Sequence, residues 1–316
     1  MLVIVSTLSL PGFAATNNLY FTQFEAAEGY TTGFTLAGQQ NWDSEGSGGN
    51  GLIPGGIQGQ SAFIGYTPPN PADDSLILWH PINFNPVAAG YPIVKFSTLV
   101  NIIDSTNHNY DIFRWSVFNQ QLDRLFSIDL DNKYTDVSYL LDGTNTVVVT
   151  DLKFTNNVSY QLSVTMNFAA NRWSATFNNQ VIASNQFITT ANAPLTLADI
   201  DAVWLINQKS YTNGLGQVFT TNAPGNNYMM FDNYRVTAET IPITPAQVKF
   251  LGRTTEGWGL LRVAGPDGLR WAVEATTNFV NWTALKTNLI SDGYADLVDN
   301  TSAGMTRRFY RARYVP

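Results

Sequence analysis

The chain has 316 residues, 44% of them hydrophobic and only 13% charged, and no cysteine, which excludes a disulfide framework and thiolate metal sites. Residues 1–245 carry 8 basic and 18 acidic side chains, a net −10, while residues 246–316 carry 9 and 6, a net +3. The change of sign predicts a domain boundary near 245, and the acidic larger part speaks against a nucleic-acid partner.

Residues 1–15 are an apolar run closing on Pro11-Gly12-Phe13-Ala14-Ala15, which predicts a secretory signal peptide and a secreted, extracellular protein. The run is too short for a membrane-spanning helix, and no second apolar run is long enough. A large domain is expected over 16–238. It opens with a strand ending near Glu25 and a loop closing on Trp42. Residues 43–58, rich in Gly, Ser and Asn, read as loop, and a further loop with three prolines fills 67–74.

Strands are expected over 76–79, 93–103 and 110–118. In the last, Phe113, Trp115 and Val117 share one face, and His108, Tyr110, Arg114 and Ser116 share the other. Further strands follow over 124–130, 137–141 and 146–150. Residues 160–182 carry the clearest pattern: Leu162, Val164, Met166 and Phe168 alternate with polar residues, Asn171 offers a left-handed turn position, and Trp173, Ala175 and Phe177 resume the alternation. This is a β-hairpin. A strand at 202–206, a polar loop over 214–227 and a strand at 228–236 close the domain. A proline-bearing linker covers 239–246. Residues 247–316 then predict a second, smaller β-sandwich leaning on Trp258, Trp271, Trp282, Phe279 and Tyr310. The fold class is all-β, a two-sheet antiparallel jelly-roll sandwich followed by the smaller one.

Phe24-Glu25, Gly29-Tyr30 and Gly38-Gln39-Gln40-Asn41-Trp42, together with Phe231-Asp232-Asn233-Tyr234-Arg235-Val236, resemble secreted bacterial proteins of the concanavalin A-like lectin/glucanase superfamily, in its laminin G-like jelly-roll group. Trp271-Ala272-Val273-Glu274, Thr277-Asn278-Phe279-Val280-Asn281-Trp282 and Arg308-Phe309-Tyr310-Arg311-Ala312 resemble a small β-domain that ends many large secreted proteins of Verrucomicrobia- and Planctomycetes-like bacteria. The resemblance implies a fold shared by lectins, hydrolases, lyases and inert modules.

Four constellations follow. Glucanases of the resembled fold carry Glu-x-Asp-x-x-Glu on one strand, and nothing here matches. Asp129 and Asp131 share a strand face but lack the Glu. His108, Tyr110 and Arg114 on one strand face are the candidate catalytic group of a polysaccharide lyase. The resemblance implies that Glu25, at the end of the first strand, and Asp232, in the last, hold a structural Ca2+. Tyr110, Arg114, Trp204, Gln208 and Tyr211 offer the aromatic platform and planar hydrogen-bonders of a sugar site on a concave sheet face. The expected function is non-catalytic binding of a polysaccharide or cell-surface glycan, or surface adhesion. The alternatives are a secreted polysaccharide-degrading enzyme, a glycoside hydrolase or lyase, and a self-assembling structural subunit of a fibre or surface layer.

Overall fold

The computed structural model describes residues 14–67, 69–142 and 146–316; the proposed signal peptide falls outside them except at Ala14 and Ala15. The hairpin at 160–177 forms as its alternation dictates. Leu162, Val164 and Met166 lie opposite Phe177, Ala175 and Trp173, and all six are buried. Asn171 takes φ 56° in the turn. The next connection is Asn178-Asn179, with φ 46° and 65°, the pair of left-handed residues that a two-residue hairpin needs. It adds a strand, Gln180–Phe187, that the alternation alone does not announce.

In chain order the strands are β1 (Thr16–Thr22), β2 (Asp43–Gly46), β3 (Asn50–Ile53), β4 (Ser61–Gly65), β5 (Ser75–Trp79), β6 (Ile93–Ile103), β7 (Ile112–Phe118) and β8 (Arg124–Asp131). Then come β9 (Asp136–Leu141), β10 (Val147–Lys153), β11 (Ser159–Asn167), β12 (Arg172–Phe177), β13 (Gln180–Phe187), β14 (Asp199–Leu205), β15 (Gln208–Thr212), β16 (Val218–Asn222) and β17 (Tyr228–Glu239). Residues 43–58, expected as loop, hold β2 and β3: their short runs gain a ladder partner only when β5 and β4 lie alongside. One sheet runs β13-β12-β11-β6-β17-β4-β3, with β1 also paired to β17; the other runs β10-β9-β8-β7-β14-β5-β2. Every strand pairing is antiparallel.

The two sheets face each other across a core dense in aromatics. Trp173 stacks on Phe126 at 3.9 Å and 9°, joining β12 of one sheet to β8 of the other. Trp115 meets Phe231 edge-on at 5.4 Å and lies 5.2 Å from Phe96. Trp42 donates through Nε1 to the Tyr30 and Tyr20 hydroxyls at 3.0 and 3.1 Å. Of the Gly-Gln-Gln-Asn-Trp stretch only Trp42 enters the core, while Gly38, Gln40 and Asn41 are exposed; Gln39 closes its loop by accepting from Thr31 N and donating to Thr35 O.

The remaining strands are β18 (Gln247–Arg253), β19 (Gly259–Ala264), β20 (Arg270–Thr276), β21 (Thr283–Leu289), β22 (Tyr294–Asp299) and β23 (Phe309–Val315). They form two three-stranded sheets, β18-β19-β22 and β21-β20-β23, around a separate core of Leu261, Val263, Trp271, Val273, Ile290 and Tyr310. Trp258 and Phe279, expected in that core, are exposed. Trp282 is partly exposed at the surface, with Arg311 over its ring. Arg172 pairs with Asp292 at 2.9 Å and Asn167 donates to the Asp267 carbonyl at 3.1 Å, linking the two cores' outer faces. Among the described residues no helix is long and apolar enough to cross a membrane.

Trp173→Ala removes the ring stacked on Phe126 across the sheets and leaves a cavity between them. Chemical denaturation is expected to show a loss of about 3–5 kcal/mol; a loss below about 1 kcal/mol would mean that the stacking does not hold the sheets together.

Candidate functional site

Strand β7 begins at Ile112, so His108 and Tyr110 lie in the loop before it and do not share a strand face with Arg114. The cause is local. Asn107 accepts from Asn109 N at 3.0 Å, His108 takes φ 62°, and both asparagines donate to the Pro224 carbonyl, which turns the chain away from the ladder. Arg114 does lie on the outer face of the seven-stranded sheet, but it is bound bidentately to Asp129, Nε to Oδ1 at 2.6 Å and Nη2 to Oδ2 at 2.8 Å. The lyase group is not assembled.

Trp204 was expected on a ligand-binding face and is instead wholly buried, at 0% exposure. It lies opposite Phe113 and Leu76, both core residues, because strand parity sends Ile200, Ala202 and Trp204 inward. Gln208 and Tyr211 lie on neither large sheet. They belong to β15, which pairs only with β16, and the expected polar loop at 214–227 supplies the second strand of this arm.

The arm's base is locked by Asp111, a buried carboxylate. It accepts from Asn207 N at 2.7 Å and Gly225 N at 2.9 Å, so both ends of the arm converge on one side chain. Burial raises the Asp111 pKa, and these main-chain donors work against the rise. Gly225 is needed here: a Cβ would lie 2.5 Å from the Asn109 carbonyl oxygen. On the arm, Tyr211 stacks on Phe219 at 5.3 Å and 17°, and the two rings remain 54% and 42% exposed. The register places Lys209 and Thr221 beside this pair and turns Gln208, Asn222, Ser210 and Thr220 to the opposite face.

The outer face of the seven-stranded sheet carries polar residues that the sequence reading missed. Asp201, Ser116 and Ser127 lie side by side on β14, β7 and β8, and the two serine hydroxyls are 3.2 Å apart. Asp199 lies two residues before Asp201 on the same face; burial raises the pKa of both, and the Asp199 charge pushes that of Asp201 further up. The signal in the sequence was an Asp-x-Asp at strand parity, masked by the apolar residues around it.

Glu25 and Asp232 do come together, because β1 pairs with β17. Asp232 Oδ2 accepts from Gln58 N at 3.1 Å and Ser61 Oγ at 3.0 Å, and Glu25 Oε1 accepts from Gln60 N at 3.1 Å. The two carboxylates clamp the β3–β4 turn. Burial pushes the Asp232 pKa up to about 6, with the Glu25 charge adding to the rise. The set is hard oxygen, as Ca2+ prefers, but among the described residues no group of three or more His, Asp or Glu surrounds it.

No protein-family model matches the chain, and no curated protein matches its sequence. Solved structures similar to it include a sialidase (9% identity, TM-score 0.46, 70% of this chain and 18% of that one). A carbohydrate-binding module from Bacillus subtilis is similar over 64% of this chain and 99% of its own, at 8% identity and TM-score 0.37. Lectin II from Ulex europaeus is similar over 67% and 100%, at 8% identity and TM-score 0.40. The chain thus spans 18% of the sialidase's length. Similarity at these scores carries no inference about ligand or activity.

The raised Asp232 pKa makes a signed prediction. The unfolded chain loses this proton near pH 4 and the folded chain near pH 6, so the contribution of this group to stability falls as pH rises between those values. Asp232→Asn keeps the acceptor oxygen and lacks the titration. The thermal midpoint of the wild type relative to this variant is expected to drop from pH 4 to pH 6.5; a constant difference would show that Asp232 titrates normally.

Proposed function

We propose that this is a secreted, non-catalytic carbohydrate-binding or surface-adhesion protein whose primary ligand platform is the Tyr211–Phe219 arm. The observation that carries the reading is the stacked, solvent-facing aromatic pair on an arm pinned at its base. Exposed aromatics with this packing are costly in water unless they cover a ligand, and a flat ring pair suits the apolar face of a pyranose. The register sets Lys209 and Thr221 on the same face as the rings, and their ammonium and hydroxyl groups are the hydrogen-bonders within reach of a sugar stacked there. The double variant Tyr211→Ala/Phe219→Ala is expected to lose at least tenfold in affinity for polysaccharides retarding the wild type in affinity electrophoresis. Equal retardation of both proteins would remove the arm from the reading.

Ca2+ belongs to this proposal as a stabilising ion at Glu25 and Asp232. Its support is the pair of like charges on one turn, which a bound dication would offset. Millimolar Ca2+ is then expected to raise the thermal midpoint of the wild type and leave that of Glu25→Gln unchanged; no shift in the wild type would dispose of the ion.

A second reading, self-assembly, rests on β10. This strand ends the seven-stranded sheet with Val147, Val148 and Val149 all exposed, and an uncapped apolar edge is a template for another strand. Sedimentation velocity is expected to show concentration-dependent association that Val149→Lys abolishes; a monomer at all concentrations would end this reading.

A further inference from the structure

The second domain has a pocket of its own, on the side where β21 and β22 end their two sheets. It has a volume of about 520 Å³ and opens between the loop after β20 and the loop after β22, within the range of about 300–1,000 Å³ typical of small-ligand sites. One side chain holds each loop in shape. Asn278 Oδ1 accepts from the Thr276 hydroxyl at 3.0 Å, Val280 N at 2.9 Å and Asn281 N at 3.0 Å. The buried Asp299 accepts from Thr301 N at 3.0 Å, the Thr301 hydroxyl at 2.6 Å and the Tyr310 hydroxyl at 3.1 Å, and it pairs with Arg308. Burial opposes ionisation of Asp299, but the bonds from Thr301 and Arg308 outweigh burial and keep its pKa low. Arg308 also donates through Nη2 to the Thr301 hydroxyl at 2.6 Å and through Nη1 to Met305 Sδ at 3.2 Å. Arg308, the charged residue lining the pocket, is thus spent inside the wall. The rim differs. Thr277, Asn281, Thr283 and Asn300 line the same pocket and are exposed, and among the described residues their side chains have no hydrogen-bond partner.

We propose that this pocket binds one neutral sugar unit, as a site of the second domain that shares no residue with the aromatic arm. The chemistry is in the rim. Two amides and two hydroxyls are four uncharged side chains, each able both to donate and to accept. Vicinal hydroxyls of a pyranose need that mixture, because every hydroxyl does both as well. Leu285 and Met305 give the pocket an apolar side, as small-ligand sites require beside their few polar groups. A carboxylate or ammonium ligand meets no unpaired counter-ion among the described residues lining the pocket, so the cost of stripping its water is not returned. Both loops are already pinned by Asn278 and Asp299, so little ordering is lost when a ligand enters. The site stands whether or not the arm binds, since it lies in a separate core's loops.

The test is amide-shift NMR titration of the whole chain with methyl α-glucoside, methyl α-mannoside, methyl α-galactoside, glucuronate and glucosamine. The double variant Asn281→Ala/Asn300→Ala removes both amides and no bond of the fold, since Asn281 holds its loop through the main-chain N–H. Thr283→Val keeps the β-branched shape on β21 and removes one hydroxyl. At least one neutral glycoside is expected to shift amides of residues 276–285 and 299–308. Its affinity is expected to fall at least tenfold in the double variant and about threefold in Thr283→Val. The Tyr211→Ala/Phe219→Ala protein should bind that glycoside as the wild type does, whatever becomes of its polymer binding. Shifts confined to residues 208–222 would place the sugar on the arm and overturn the pocket. So would glucuronate or glucosamine binding as tightly as the neutral glycosides, unchanged affinity in both pocket variants, or no shift in the two loops with any of these sugars.

Discussion

Trp173 lying flat on Phe126 is the contact on which the large sandwich depends. A sheet of alternating residues has one apolar face that is stable only against another such face about 10 Å away. Large flat rings fill that gap with few rotatable bonds. Trp115, Phe96, Phe231 and Tyr234 continue the layer away from Trp173, and Trp42 extends it beneath the β1 side. Once the rings set the spacing and the strand parity, the outward residues of the seven-stranded sheet have no freedom left. Arg114, Ser116, Asp129 and Asp201 are presented in register because their neighbours are inside.

The ends of the sandwich follow a different rule. Loops there are tied down by single buried polar side chains rather than by apolar packing. Asp111 closes the arm, Asp142 holds the 189–191 segment, Asn119 holds the 119–123 turn, and Asp232 holds the β3–β4 turn. Each satisfies several main-chain N–H groups that would otherwise be buried without partners. In a chain with no disulfide these anchors are how loops keep a fixed shape. They also explain why so many acidic residues of an acidic chain are not available as ligands: much of the formal charge is spent on the protein's own backbone.

Much of the fold was legible. The alternation at 160–177 and 228–236 marked core strands, and the change of charge sign near 245 falls between the two cores. The pairing of the first and last strands brings Glu25 and Asp232 onto one turn. The candidate site was far less legible. Trp204 and Tyr211 look alike as aromatic residues between polar neighbours, yet one is sealed in the core and the other stands in solvent. The difference is which strand lies alongside, and no local pattern encodes that. His108 and Tyr110 kept the right parity for a strand that had not yet begun. Asn119 and Asp142, which anchor loops at one end of the sandwich, carried no signal, since a lone polar residue before a turn is ordinary in any β-protein.

By itself, then, the sequence determined what depends on nearest neighbours: strand periodicity, turn positions such as Asn171 and Asn178-Asn179, the absence of disulfides and the uneven charge. These follow from backbone sterics and side-chain polarity, which act over a few residues. Tertiary structure alone decided which polar residues are spent and which are free. Arg114 is taken up by Asp129, Asp199 and Asp201 are buried close enough for one charge to oppose the other, and the 189–191 segment is tied to Asp142. Each arrangement joins residues separated by many positions, and long-range strand order sets those distances.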